Sequence, residues 1–79
     1  MPKYFFHVHD DLDVEDDEGA ELTDLHEARG YAIRSARSLM CDTLMGDGRI
    51  SLEHRIDIED GHSGVLATVQ FADALEIKG

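Results

Sequence analysis

The chain has 79 residues, of which 18 are acidic and seven basic, for a formal net charge of −11. That length holds one domain, 1–79, and buries roughly 60% of its unfolded surface, a thin margin for a fold without a staple. Such charge repels phosphate backbones and anionic membrane surfaces, so neither nucleic acid nor membrane is an expected partner. The single cysteine, Cys41, excludes an intrachain disulfide. No apolar run approaches the ~20 residues of a membrane span and the start carries no signal-peptide pattern, which makes the cytoplasm the expected location.

Lys3–His9 alternates, with Tyr4, Phe6 and Val8 on one face and Phe5, His7 and His9 on the other. Aromatic and β-branched residues at period two predict a strand. Seven of the nine residues from Asp10 to Glu18 are acidic. Leu12 and Val14 alternate with them, predicting a short second strand after a turn at Asp10–Asp11. Asp16–Gly19 then reads as a turn in which Gly19 takes positive φ. Calcium-loop spacing fails here, because neither possible start places Gly at position six and Glu at twelve. The segment reads as a solvated acidic hairpin that binds divalent cations weakly.

A helix follows from Asp24 to Met45. Asp24 is an N-cap, Glu27 completes an acidic capping box, and Gly46 and Gly48 end the helix. Leu25, Ala28, Ala32, Ala36 and Leu39 form one apolar stripe. Ile33, Met40 and Leu44 widen that face beyond what one sheet covers. At ~1.5 Å per residue the helix is about 33 Å long and overhangs strands of ~17–20 Å. Residues 51–59 alternate again, with Leu52, His54, Ile56 and Ile58 on one face and Glu53, Arg55, Asp57 and Glu59 on the other. A hairpin loop at 60–64 leads to a returning strand, 65–71, in which Val65, Ala67, Val69 and Phe71 share a face. Leu75 and Ile77 fold back onto the core edge. The expected fold is α+β, in the order β-β-α-β-β, with a mostly antiparallel sheet and one long helix on one face.

Few residues invite chemistry. His7 and His9 project together and His54 joins them if its strand is adjacent, but His-x-His alone falls short of a zinc site, so no metal and no cofactor is expected. Cys41 lies opposite the main stripe near Arg34 and Arg37, with no second cysteine, base or oxyanion site, so no catalytic residue is assigned and no enzyme activity is expected. Phe5 falls on the uncovered sheet face. With Ile33, Met40 and Leu44 it forms the expected interface of a homodimer.

MPKYFFHVHD at the start, EDDEGAELTDLHEAR in the middle and VLATVQFADALEIKG at the end resemble a family of very small bacterial proteins abundant in rhizobia and other alphaproteobacteria. Members begin M-P-x-Y-x-F-H-V and share the Phe-x-x-Ala-Leu ending, here Phe71, Ala74 and Leu75. The resemblance spans essentially the whole chain and implies a domain of unknown function, with no activity and no site residues to carry over. The element order and acidity are also similar to β-β-α-β antitoxin domains, by analogy alone. The expected function is a non-catalytic, self-associating interaction module. The alternative is an acidic, antitoxin-like or inhibitory partner of a basic protein.

Overall fold

A computed structural model describes residues 1–10 and 13–79. Asp11, the second residue of the anticipated turn at Asp10–Asp11, and the expected strand residue Leu12 lie outside the described residues. The elements are β1 (Lys3–His9), β2 (Asp13–Val14), β3 (Ala20–Glu21), α1 (Leu25–Asp47), β4 (Arg55–Glu59), β5 (Val65–Gln70) and a 3₁₀ turn, Phe71–Ala74. The fold is α+β, as the alternation and the helical spacing predict.

All strand pairings among the described residues are antiparallel, in the order β2-β1-β4-β5, with β3 also on β1. β2 and β3 share the outer edge of β1, one at each end: Val8 is opposite Val14, and Tyr4 is opposite Ala20. β3 has only two residues and no alternation to announce it. It exists because the chain leaves the β1 edge after Val14 and rejoins it, running in the same direction, at Gly19, which has φ +72°. A Cβ there would lie 2.9 Å from the Tyr4 carbonyl oxygen, so both backbone angle and space demand glycine.

The helix begins as its sequence indicates. Asp24 accepts the Glu27 N–H at 2.9 Å, and Thr23 donates its hydroxyl to the Glu27 carboxylate. It ends later than expected. Gly46 stays helical, and the left-handed cap is Gly48, whose N–H donates to the Leu44 carbonyl.

The buried stripe is Ala28, Ala32, Ala36 and Met40. Steps of four drift about 40° round the cylinder each time, which brings Met40 into the core and leaves Leu39 36% exposed. Met40, expected on the exposed margin and at an interface, is 4% exposed and belongs to the chain's own core. Ile33 is half-buried against that core, and so is Leu25. The alanines let the sheet approach closely, so Tyr4, Phe6, Ile56, Ile58, Ala67, Val69 and Phe71 complete a single core.

Two expectations about the last strand change. Val65 leaves the inward row because β5 carries a bulge at Leu66: Ile58 pairs with Ala67, but Glu59 pairs with Val65. The extra residue turns Val65 outward, where it is 53% exposed. Leu75 packs on the core as anticipated, whereas Ile77 is exposed.

The helix overhangs the sheet. Its 23 residues span about 34 Å, against about 23 Å for the seven residues of β1. Every residue from Cys41 to Arg49 is exposed.

Candidate functional site

The open face of the sheet gathers the titratable groups. β1 sends His7 and His9 there, and β4 sends Arg55, Asp57 and Glu59, because the two strands pair with matching alternation, His7 opposite Asp57 and His9 opposite Arg55. His7 Nε2 lies 2.8 Å from Glu59 Oε2, and His9 Nε2 lies 2.9 Å from Asp57 Oδ2. The acidic segment closes over them. Asp13 Oδ1 is 2.9 Å from His9 Nδ1, and the Asp16 N–H donates to His7 Nδ1 at 3.0 Å.

These contacts engage all four ring nitrogens. The Asp16 N–H makes His7 Nδ1 an acceptor, so the ring proton sits on Nε2 and points at Glu59. His9 meets a carboxylate at each nitrogen, and a neutral ring donates to only one of them at a time. Asp57 also accepts the Thr68 hydroxyl at 2.8 Å and stands 3.6 Å from Arg55 Nε. In this Thr68–Asp57–His9 chain the carboxylate sits between hydroxyl and imidazole. A hydrolytic triad needs the imidazole in the middle, so His9 cannot take the Thr68 proton.

Asp16 is the hinge of the acidic segment. Its carboxylate accepts the N–H groups of Phe6 (3.1 Å), Glu18 (3.1 Å) and Gly19 (3.0 Å). Partial burial alone raises this carboxyl, but the Gly19, Phe6 and Glu18 donors, with His7 beside it, outweigh that and hold it below its ordinary value. The His9–Asp13 pair, the Asp16 N–H on His7 and the Asp16 carboxylate on the Phe6 N–H together fasten the acidic segment to the sheet.

The expected metal candidates do not assemble. His7 and His9 share the open face, but His54 lies on the helix side, its ring edge-on to Phe71 at 5.5 Å. β4 does neighbour β1, yet His54 has the parity of Ile56 rather than of Asp57. Among the described residues, no group of three or more His, Cys, Asp or Glu side chains is arranged to hold a metal ion. The sequence reading missed Asp13, Asp57 and Glu59 as histidine partners, although the polar faces of two adjacent strands carry His-x-His and Asp-x-Glu.

The expected interface residues scatter. Phe5 is on the open face but lies under two loops of its own chain. A Cβ on Gly19 would meet its ring at 3.1 Å, and one on Gly61, 3.4 Å. Leu44 is 52% exposed and Met45 82%. Leu44 lines an apolar groove of about 210 Å³ with Arg37, Met40, Cys41, Ile50 and Leu75. Arg37 helps to shape it by donating from Nε to the Ala74 carbonyl at 2.7 Å. Cys41 is an exposed free thiol at its margin. A smaller cavity of about 100 Å³ beneath the helix end is lined by Met40, Ile50, His54 and Phe71, among others.

A family model covers residues 3–72. The chain belongs to the DUF6894 family, a domain of unknown function. The match takes in every strand and the whole helix, so the hairpin, the histidine pairs and all of the groove's lining but Leu75 lie within the family domain. Neither the curated proteins nor the solved structures gave a match. No described helix is long and apolar enough to cross a membrane.

Proposed function

We propose that this DUF6894 domain is a non-catalytic interaction module that associates with a second copy of itself through the exposed flank and end of α1. The observation that carries this reading is how charge and apolar surface are segregated. Residues 34–52 hold three arginines (34, 37, 49) and two aspartates (42, 47), a net +1, which leaves −12 on the rest of the chain. Leu44, Met45 and the groove beside Leu75 all lie at this near-neutral end. Like-charged copies therefore meet where they repel least. Burying one large apolar side chain there contributes roughly 1.5–3 kcal/mol.

The test is molar mass by light scattering across concentration at moderate salt. A two-chain mass at tens to hundreds of micromolar is expected, roughly the range of modest hydrophobic association. Leu44→Asp places a charge in the contact while lying outside the core, and should return the mass to one chain. A wild-type protein that stays at one chain throughout defeats the reading.

A second reading has its own support. Eight of the 18 acidic residues fall between Asp10 and Glu21, with no basic residue among them. That concentration suits a basic protein partner. It predicts that the product of a neighbouring gene for a small basic protein co-purifies with the chain. Replacing Glu15, Asp17 and Glu18 with serine should release it.

A further inference from the structure

The sheet has two edges, and they are treated differently. The β1 edge is occupied by β2 and β3, which bring Asp13 and Glu21 to it. On the other side β5 is the last strand. Its sequence, VLATVQ, contains no charge and no proline, the two commonest devices that keep an edge from pairing with another chain. The bulge at Leu66 interrupts only its first turn of pleat, and Ala67 to Gln70 run in register with Ile58 to Arg55.

The hydrogen-bond phase of this edge can be worked out. The Phe71 N–H donates to the His54 carbonyl at 2.9 Å, so Phe71 directs its backbone groups toward β4. Antiparallel pairs alternate, so Val69 and Ala67 also face β4, whereas Gln70 and Thr68 direct N–H and C=O outward to the open edge. We infer that the edge of β5 is where a second copy of this chain adds, antiparallel, about a two-fold axis at Thr68. This rests on the self-association reading above and supplies its main-chain contact.

Three features select a second copy. A two-fold at Thr68 places Thr68 opposite Thr68, each donating its outward N–H to the other's carbonyl, with Leu66 opposite Gln70. Opposed residues then keep the same face, so Ala67 meets Val69 on the helix side and both helices cover one continuous sheet. The strand is uncharged within a chain of −11, so the pairing brings no charged side chain of β5 against its copy. The apolar flank of α1 also lies on this side. Arg37 reaches the 3₁₀ turn that continues β5, Ile33 is one turn earlier on the same flank, and Tyr31 stacks on Phe6 of β1 on the opposite flank.

The experiment uses the full chain and two variants. Thr68→Lys sets like charges directly across the two-fold on an exposed position, and Thr68→Pro removes the outward N–H without touching a backbone bond to β4; both lose the hydroxyl bond to Asp57, as Thr68→Ala does. Each should weaken association roughly tenfold or more by light scattering, with an unchanged circular dichroism spectrum, while Thr68→Ala, which keeps the N–H, associates like wild type. In wild type the Thr68 and Gln70 amides should gain exchange protection as concentration rises. A wild-type dimer insensitive to both Thr68→Lys and Thr68→Pro, yet lost in Leu44→Asp, overturns the strand pairing and leaves the helix flank as the contact. A wild-type monomer at all concentrations overturns both.

Discussion

At the scale of single residues, Gly19 and Asp16 do most to position the open face. Gly19 combines φ +72° with a 2.9 Å approach of a hypothetical Cβ to the Tyr4 carbonyl, and neither a side-chain shift nor a rotamer change relieves a backbone oxygen. Gly19→Ala should destabilise the chain by about 1–3 kcal/mol, read from the denaturant midpoint. A loss below about 0.5 kcal/mol would refute the clash. For Asp16 the sign follows from its depressed folded value. A carboxyl held below its unfolded value of ~3.9 stabilises fully above that value and ceases to do so as pH falls through the folded value. Asp16→Asn should therefore cost about 1 kcal/mol near pH 7 and progressively less below about pH 4. A constant difference between the two proteins from pH 7 to pH 3 would show that charge is not the cause. His7 and His9 yield a third expectation. Their ring nitrogens are already engaged, so calorimetric titration with zinc should show only weak, salt-sensitive heat, unchanged in a His7→Ala, His9→Ala double variant. A stoichiometric site lost in that variant would contradict it.

At the scale of elements, the period-two and period-four patterns carried most of the fold. β1, the Asp24 cap, the hairpin at Gly61 and Gly64, and the inward row of Ile56, Ile58, Ala67, Val69 and Phe71 were legible because each is a local repeat with a boundary residue. What was not legible depends on tertiary fit. A two-residue strand such as β3 has no period of its own. The bulge at Leu66 is a mismatch between two strands and belongs to neither sequence alone. The choice of Met40 over Leu39 follows from how the helix lies on the sheet. The histidine partners were half legible, since parity alone set Asp57 and Glu59 beside His7 and His9 and excluded His54. The helix stripe can be checked directly. Met40→Ala should cost about 2–4 kcal/mol by chemical denaturation, and Leu39→Ala less than about 1 kcal/mol. Equal costs would restore Leu39 to the core stripe.

At the scale of the molecule, charge and apolar surface oppose each other, and salt separates the two functional readings. Two copies of −11 repel, and at 0.15 M salt charges more than ~8 Å apart are largely screened. Contact through the near-neutral helix end and the uncharged β5 edge keeps the acidic hairpins at the far edge of each sheet. Screening then removes a long-range penalty without weakening the hydrophobic and main-chain contacts. Self-association should therefore tighten as salt rises from about 0.02 to 0.3 M, the interval over which the screening length shortens most. A complex between the acidic segment and a basic protein has the opposite dependence, because screening weakens the attraction that forms it. Sedimentation equilibrium of the isolated chain at both salts measures the first slope directly. Association that weakens with added salt would mean that unlike charges hold the copies together, for example Arg34, Arg37 or Arg49 of one chain against the acidic hairpin of the other. The strand-paired arrangement does not contain that contact.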